Sequence, residues 1–384
     1  MKFSGYRIPF NKPFIVGKEL YYIAQSVINH AHLAGDGHYT KLCQQFIEGR
    51  LNCKKSLLTH SCTAALEMTA ILCGIQAGDE IIMPSFTFVS TANAFVLRGG
   101  VPVFIDIRPE TLNIDESKIE AAITKNTKAI VPVHYAGFPC EMNAIMDIAS
   151  RHGLFVVEDA AQALLSTYDN QYLGTIGHFG TLSFHETKNI ISGEGGALLI
   201  NKDNYIEKAE IIWEKGTNRK KFFRGQVDKY TWVDIGSSFL PSDLTAAFLY
   251  AQLEHADRIN SRRRQIFQYY FQLLKPVAAK GFIQLPYRGS SIANNNGHLF
   301  YIITRALEER DELMNYLKEN GIYSVFHYIP LHSAPGGKKF GRASGELSIT
   351  NEMSDRLLRL PLFYEMTNQD VEYISEAIIK FFKA

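Results

Sequence analysis

The sequence predicts an α/β fold with a largely parallel sheet, followed by a smaller α+β domain. Short apolar runs alternate with helical patterns between residues 56 and 201, which is typical of a sheet whose strands are joined by crossover helices. Most runs are apolar at every position, as in strands that are covered on both faces. A chain of 384 residues with 46% hydrophobic content is long enough to bury such a core.

Seven apolar runs are predicted to be the strands of this sheet. They are SLLTHS (56–61), EIIMPSF (80–86), PVFIDI (102–107), AIVPVHY (129–135), FVVEDAA (155–161), GTLSF (180–184) and GALLIN (196–201). Helical stretches such as CTAALEMTAILCGI and EMNAIMDIASRHG lie between them. This alternation is what a seven-stranded, mostly parallel sheet requires.

The pattern changes after residue 205. A helix over 205–215 leads into a polar, aromatic segment, and a long helical pattern then runs from Leu244 to Leu274. Strand and helix alternate afterwards without the parallel rhythm. We expect a large domain over 1–245, which includes the N-terminal segment, and a smaller α+β domain over 246–384.

Charge and cysteine content exclude several classes of protein. Forty basic and 39 acidic residues leave a formal charge of +1, with no basic run that indicates nucleic acid or a membrane surface. The start of the chain lacks the apolar core of a signal peptide, so we expect a cytoplasmic protein. Five cysteines without a CxxC pair predict neither disulfides nor a zinc site, and we expect no metal.

Two charged residues follow neighbouring strands. Asp159 ends the apolar run FVVED, and Lys188 lies 29 residues later, just past the run GTLSF. Taken alone, Asp159 is typical of a helix cap and Lys188 of a solvated surface charge. Together at adjacent strand ends they supply what pyridoxal 5'-phosphate requires, namely an amine for the Schiff base and a carboxylate for the pyridine nitrogen.

Other strand ends offer the remaining contacts of that cofactor. Cys62 and Thr63 start a helix, where free backbone N–H groups bind phosphate, and Ser183 is a second hydroxyl candidate. Phe88 lies where a strand gives way to a helix and is a candidate to cover the ring. Small hydroxyl residues at helix starts are more often caps, and aromatic residues there are more often core.

Several motifs resemble the DegT/DnrJ/EryC1/StrS family of sugar aminotransferases over nearly the whole chain. They are PSFTFVSTANAFVLRGG, PVHYAG, VVEDAAQ and SFHETKN…GEGGA. The resemblance implies a fold-type I, aspartate aminotransferase-like enzyme, with Lys188 as the Schiff-base lysine and Asp159 as the pyridinium partner. It further implies that Phe88 stacks on the ring and Gln162 lies over the cofactor, while Cys62, Thr63 and Ser183 bind the phosphate.

One segment departs from the family pattern. Where many relatives have Gly-x-Asn-x-Arg, with an asparagine that contacts the phosphate of the neighbouring subunit, this chain has GSSFL. Ser238 takes the asparagine position and Leu240 the arginine position. The resemblance still implies a homodimer with the active site at the subunit interface, and Ser238 is our candidate for the cross-subunit contact.

The resemblance also implies the reaction. The segments EKGTNRKKFFRGQVDKYTW, DIGSSFL and VFHYIPLH are similar to family members that transfer an amine from L-glutamate to C4 of a dTDP-linked 4-keto-6-deoxy sugar. Arg224 and Lys229 are candidates for the diphosphate of a nucleotide sugar, and Tyr230 and Trp232 for stacking on a base or sugar; an ordinary dimer-interface loop is the alternative. Amination at C3 and dehydration stay open, although an intact Lys188 argues against dehydratases that use histidine there.

Two further classes are less compatible with the sequence. A dinucleotide oxidoreductase needs a GxGxxG turn leading into a helix, whereas GEGGA leads into a predicted strand. Relatives of this fold also act as transcription regulators, but no DNA-binding helical module flanks the predicted domains.

Overall fold

The computed structural model describes residues 6–289 and 292–383. Residues 1–5, part of the stretch considered for a signal peptide, lie outside the described residues. None of the described helices has the length and apolar character needed to span a bilayer. All five cysteines are free thiols, and all but Cys62 are buried.

Strands and helices alternate between residues 55 and 159 of the described chain. The strands are β1 (Lys55–Thr59), β2 (Glu80–Pro84), β3 (Val101–Ile105), β4 (Thr127–Ile130), β5 (Phe155–Asp159), β6 (Thr167–Tyr168), β7 (Gln171–Tyr172), β8 (Phe179–Ser183), β9 (Gly196–Ile200), β10 (Ala293–Asn294), β11 (Phe300–Ile303), β12 (Val325–Phe326), β13 (Arg342–Ala343) and β14 (Leu357–Leu360). The α-helices are α1 (Glu19–Gln25), α2 (His38–Leu51), α3 (Cys62–Leu72), α4 (Val89–Val96), α5 (Ile119–Ala122), α6 (Met142–His152), α7 (Ile206–Trp213), α8 (Arg219–Phe223), α9 (Asp243–Leu253), α10 (Ala256–Ala279), α11 (Leu307–Glu319), α12 (Pro335–Phe340), α13 (Ser348–Arg356) and α14 (Asn368–Phe381).

The central sheet confirms the predicted α/β class. Its order is β1-β9-β8-β5-β4-β2-β3-β13. The pairs from β8 to β13 are parallel, while β9 runs antiparallel to both β1 and β8. The carboxyl ends of β1, β8, β5, β4 and β2 therefore meet at one edge, which is where ligand sites form in parallel sheets.

Alternate side chains of each strand pack on opposite faces of the sheet. Leu57 and Leu198 join a cluster with α3 and α7, whereas Leu58 and Leu199 join a cluster with α2, α6 and α9. Both faces are thus buried, and this explains why the strand runs are apolar at every position.

Two details of the predicted elements are wrong. The sheet has an eighth strand, because the short C-terminal β13 pairs with β3 and its Arg342 binds Glu80 with an Nε to Oε1 distance of 2.8 Å. The expected helix from Leu244 to Leu274 is interrupted at Glu254–His255. On one side α9 packs against α1 and α2, and on the other α10 packs against α14, so tertiary packing overrides a sequence with good helix propensity.

The C-terminal part builds a separate sheet in the order β11-β14-β12. Helices α10, α11 and α14 supply its core, which also takes in Phe86, Tyr135 and Phe138 from the first part of the chain. The domain boundary at residues 245 and 246 stays a prediction. This arrangement places the end of β14 close to the carboxyl edge of the central sheet.

Candidate active site

A cavity of about 500 Å³ lies at the carboxyl edge of the central sheet. Seven predicted site residues line it: Cys62, Thr63, Phe88, Asp159, Gln162, Ser183 and Lys188. They come from the ends of different strands and the helices that follow. A concave site of this size with converging polar groups is what a cofactor and a small substrate need.

Lys188 lies in the loop after β8. A backbone hydrogen bond from its N–H to the carbonyl of His185, 2.8 Å long, fixes the turn that carries it. Burial of the amine lowers the pKa of Lys188, while Cys62 and Asp159 act in the opposite direction. Desolvation therefore favours an uncharged, nucleophilic amine at this position.

Asp159 ends β5 and is 6% exposed. Its Oδ2 accepts a hydrogen bond from Thr91 Oγ1 at 2.7 Å, and its Oδ1 accepts one from the backbone N–H of Ala161 at 3.1 Å. Strand β5 pairs with β8 at the register Asp159 to Thr181. The prediction that Asp159 and the lysine loop follow neighbouring strands is confirmed.

The start of α3 is a candidate anion-binding corner. Ser61 caps the helix by accepting a hydrogen bond from Ala64 N–H, whereas the N–H groups of Cys62 and Thr63 have no acceptor among the described residues. Gly196, the first residue of β9, packs against this turn, and a Cβ there would lie 2.4 Å from Cys62 N. Free N–H groups at a helix start suit a phosphate.

Phe88 and Gln162 also line the cavity and follow β2 and β5 along the chain. Phe88 is the residue before α4, and its ring is 58% exposed in the single chain. Gln162 accepts from Ala136 N–H at 2.7 Å and donates to the Tyr328 hydroxyl at 3.0 Å. Their roles over a cofactor ring stay predictions.

The other predicted residues lie outside the residues that line this cavity in a single chain. Ser238 forms an isolated bridge with Glu214. Arg224 pairs with the buried carboxylate of Glu210, so of the two predicted cations Lys229 is the one without a described partner. Tyr230 and Trp232 are 51% and 79% exposed. The contacts of these residues with substrate or with a second subunit stay predictions.

Four residues of the C-terminal part also line the cavity and were not predicted from the sequence: His298, His327, Tyr328 and Arg359. Arg359 is the one charged residue of the strand sequence LLRL. A charge in an otherwise apolar strand is the signal that could have identified it. The histidines carried no such signal, because nothing in their local pattern distinguishes them from core residues.

Residues 17–379 match the DegT/DnrJ/EryC1/StrS aminotransferase family. The chain is 34% identical over 349 residues to a pleiotropic regulatory protein of Geobacillus stearothermophilus, covering 90% of each chain. It is 32% identical over 383 residues to the spore coat polysaccharide biosynthesis protein SpsC of Bacillus subtilis, covering 97% of this chain and 96% of SpsC. The solved PLP form of Spr1654 from Streptococcus pneumoniae superposes with a TM-score of 0.89 at 25% identity, covering 98% of this chain and 99% of Spr1654.

The fold and the cavity thus define an aminotransferase that uses pyridoxal 5'-phosphate. The chain belongs to the DegT/DnrJ/EryC1/StrS aminotransferase family. The site fits the cofactor, because a desolvated amine, a buried carboxylate and unpaired N–H groups at a helix start face one cavity. The described residues hold no cluster of three or more metal-ligating side chains.

Proposed function

We propose that the protein transfers an amino group from L-glutamate to C4 of a nucleotide-linked 4-keto-6-deoxy sugar. The product we expect is dTDP-4-amino-4,6-dideoxy-D-galactose, made from dTDP-4-dehydro-6-deoxy-D-glucose for enterobacterial common antigen or another surface polysaccharide. The observation that carries the transaminase chemistry is the placement of the Lys188 amine and the Asp159 carboxylate in one cavity. The choice of sugar rests on the likeness of SFHETKN, DIGSSFL and VFHYIPLH to the enterobacterial dTDP-4-amino-4,6-dideoxygalactose transaminase.

Each residue of the cavity has a separate role in such a reaction. When bound, pyridoxal 5'-phosphate withdraws electrons and makes the proton on the amine-bearing carbon acidic. Asp159 holds the ring nitrogen protonated, and Thr91 keeps this carboxylate oriented through its 2.7 Å hydrogen bond. Lys188 takes up and returns the proton, for which its amine must be uncharged. The N–H groups of Cys62 and Thr63 bind the phosphate.

Arg359 supports an acidic amino donor. Its Nη1 lies 3.0 Å from His327 Nε2, and because a guanidinium only donates, this histidine nitrogen must be the acceptor. Burial and Arg359 lower the pKa of His327 well below its ordinary value, so the ring stays neutral. Among the described residues Arg359 has no carboxylate partner, and its Nε is unpaired. Its positive charge is therefore available to a substrate carboxylate.

Replacement of Arg359 by methionine tests this assignment. We expect the rate of the single-turnover reaction with glutamate to fall by roughly 10- to 100-fold, because one charge-assisted hydrogen bond is lost. The rate should fall less in Arg359→Lys, which keeps the positive charge. The reverse reaction with the amino sugar, which has no α-carboxylate, should keep its rate. An equal loss with both amines would show that Arg359 supports the cavity wall instead.

A homodimer is part of the proposal. Large apolar side chains are exposed in two segments, around Leu20 and Ile28 (79% and 73% exposed) and around Phe223 and Trp232 (62% and 79%). Exposed apolar patches of this kind mark protein interfaces. A second subunit that covers them would also bring the 214–238 segment and Ser238 to a neighbouring cavity, as the family resemblance implies.

The decisive experiment incubates the purified protein with L-glutamate and a panel of nucleotide keto sugars. Mass spectrometry and NMR of the products report the nucleotide, the carbon that gains the amine and its stereochemistry. We expect one amino sugar with the nitrogen on C4. Amination at C3, loss of a hydroxyl without amination, or no product with any keto sugar would contradict the proposal, and Lys188→Ala serves as the inactive control.

A further inference from the structure

His298 forms part of the cavity wall that Lys188 also lines, and it is 5% exposed. Its backbone is held from behind by Arg263, whose guanidinium donates to the carbonyls of Gly297 and His298 at 3.1 and 2.5 Å. Gly297 has a φ of +65°, and a Cβ there would lie 2.7 Å from the carbonyl carbon of Arg263. The turn that presents His298 is therefore fixed against α10.

Hydrogen bonds behind the ring decide where His298 carries its proton. The Nδ2 of Asn189 donates to the carbonyl of Asn296 at 3.0 Å and to Asn260 Oδ1 at 2.9 Å. A carbonyl only accepts, so the Asn189 amide cannot be flipped, and its Oδ1 faces His298 Nδ1 at 3.0 Å. Because an amide oxygen also only accepts, His298 Nδ1 must carry the proton.

A second proton on this ring is disfavoured. Burial is the main cause that lowers the pKa of His298 well below its ordinary value, and the positive charges of Arg263 and Arg359 add to it. The neutral ring then leaves Nε2 without a proton. Among the described residues no group shares a hydrogen bond with Nε2, so a buried imidazole offers an unpaired acceptor to the cavity.

We propose that His298 is a positioning residue for Lys188: its Nε2 accepts a hydrogen bond from the Lys188 amine when the cavity holds the cofactor in its amine form, to which Lys188 is not bound. Both residues line the same cavity, and Nε2 has no other partner among the described residues. A lysine side chain loses much rotamer freedom when it is held in place, and an acceptor in the wall supplies that restraint. A carboxylate at this position would stabilise the ammonium form, whereas a neutral imidazole orients the amine and leaves it able to take up a proton. The inference rests on the proposed role of Lys188 as the proton carrier.

Imidazole ¹⁵N NMR of the full-length protein, labelled at histidine, tests the proton position directly. His298→Gln assigns the resonance, and the protein is measured with pyridoxamine 5'-phosphate, which leaves the Lys188 amine free. We expect His298 to be protonated at Nδ1 alone from pH 6 to 8 (roughly the range around the ordinary histidine pKa), and its Nε2 signal to shift in Lys188→Met. Protonation at Nε2, or an Nε2 signal unchanged in Lys188→Met, would overturn the proposal.

The protein contains internal controls for this measurement. His178 Nδ1 accepts from Val156 N–H at 3.1 Å, and His134 Nδ1 accepts from Cys140 N–H at 3.2 Å. Both rings should therefore show a proton at Nε2, the opposite of His298, and neither signal should respond to Lys188→Met. The NMR measurement needs no keto sugar. Failure of the proposed function would be seen as absence of turnover, so it can be distinguished from failure of this inference.

Kinetics separate a positioning role from a purely structural one. His298→Asn keeps a donor for Asn189 but places no acceptor in the cavity, whereas His298→Gln can restore an acceptor near the position of Nε2. We expect kcat to fall roughly tenfold in His298→Asn, about 1.4 kcal/mol, with KM for glutamate little changed and partial recovery in His298→Gln. Equal losses of kcat in both variants, or a change confined to KM, would contradict the proposal.

Discussion

Single side chains at this site owe their chemical state to their surroundings. Lys188 is an ordinary lysine by sequence, yet burial lowers its pKa. The buried Asp159 side chain accepts hydrogen bonds from Thr91 and from the Ala161 N–H, which fix its orientation. His298 is limited to one tautomer by an asparagine amide that cannot flip. For Lys188 and His298 the fold thus favours the protonation state that the proposed proton transfer needs.

Replacement of Lys188 by alanine should abolish activity without unfolding the protein. Asp159, Phe88 and the start of α3 could still hold the cofactor, but the covalent anchor and the proton carrier would be lost. Turnover assays measure the loss of activity, and circular dichroism checks that the variant is folded. Peptide mapping of the wild-type protein after borohydride reduction should find the cofactor on Lys188; its attachment to another lysine, or normal turnover in the variant, would refute the assignment.

The lowered pKa of Lys188 has its own consequence in the cofactor-free protein. The amine should lose its proton at a lower pH than an exposed lysine, because burial disfavours the charged form. The rate at which a small acylating reagent modifies Lys188 can be followed by mass spectrometry as a function of pH. This rate should level off at a lower pH for Lys188 than for the exposed Lys229. Identical profiles for Lys188 and Lys229 would show that the amine is solvated.

At the scale of elements, the site depends on how β9 meets the start of α3. Gly196 pairs with Thr59 on β1 and with Ser183 on β8. It therefore lies between the two strand ends that reach the candidate anion-binding corner. The N–H groups of Cys62 and Thr63 stay free because Ser61 caps the helix through Ala64 instead. The close approach of β9 thus positions the helix start that we propose binds phosphate.

The variant Gly196→Ala should disturb this junction. Its Cβ would lie 2.4 Å from backbone atoms of Ser61 and Cys62, and overpacking of this kind costs about 1–3 kcal/mol. We expect a lower free energy of unfolding and weaker binding of pyridoxal 5'-phosphate, measured by denaturant titration and by fluorescence.

Gly49→Ala is the matched control for that substitution. Gly49 lies within α2, is exposed, and has no heavy atom within 4 Å of the added Cβ. This change should raise stability by about 0.5–1 kcal/mol and leave cofactor binding unaltered. If Gly196→Ala has the same effects on stability and cofactor binding as Gly49→Ala, the junction does not position the anion-binding corner.

At the scale of the whole molecule, we propose that a second subunit completes part of the predicted site. Ser238, Tyr230 and Trp232 lie outside the lining of the cavity in one chain, and exposed apolar residues surround them. A homodimer would bury this surface and place the 214–238 segment near a neighbouring cavity. Sedimentation analysis measures the assembly directly.

Ser238→Ala tests the contact across that interface. If the Ser238 hydroxyl reaches the neighbouring subunit's phosphate, the loss of its hydrogen bond should weaken cofactor retention by about 1.5–3 kcal/mol. Equilibrium dialysis of the variant against wild type gives this value, and sedimentation checks that the dimer persists. Unchanged retention in an intact dimer would leave GSSFL as a structural turn.

Local sequence pattern was enough to predict the sheet and to single out Asp159 and Lys188 as candidate site residues. Strand runs that are apolar at every position indicated a sheet buried on both faces. Asp159 and Lys188 were identifiable because Asp159 ends one such run and Lys188 lies just past another. The family resemblance and the cofactor are confirmed by the comparisons. Each strand run, and each of these two residues beside its run, is encoded within a short stretch of the chain.

Only the tertiary structure decided the rest. The break between α9 and α10 has no glycine or proline and arises because the two helices pack against different partners. Strand β13 has two residues, too few for a periodic signal. His298, His327, Tyr328 and Arg359 reach the cavity from the C-terminal part, more than 100 residues beyond Lys188. No local pattern records such distant contacts, since they exist only once the two parts of the chain have packed together.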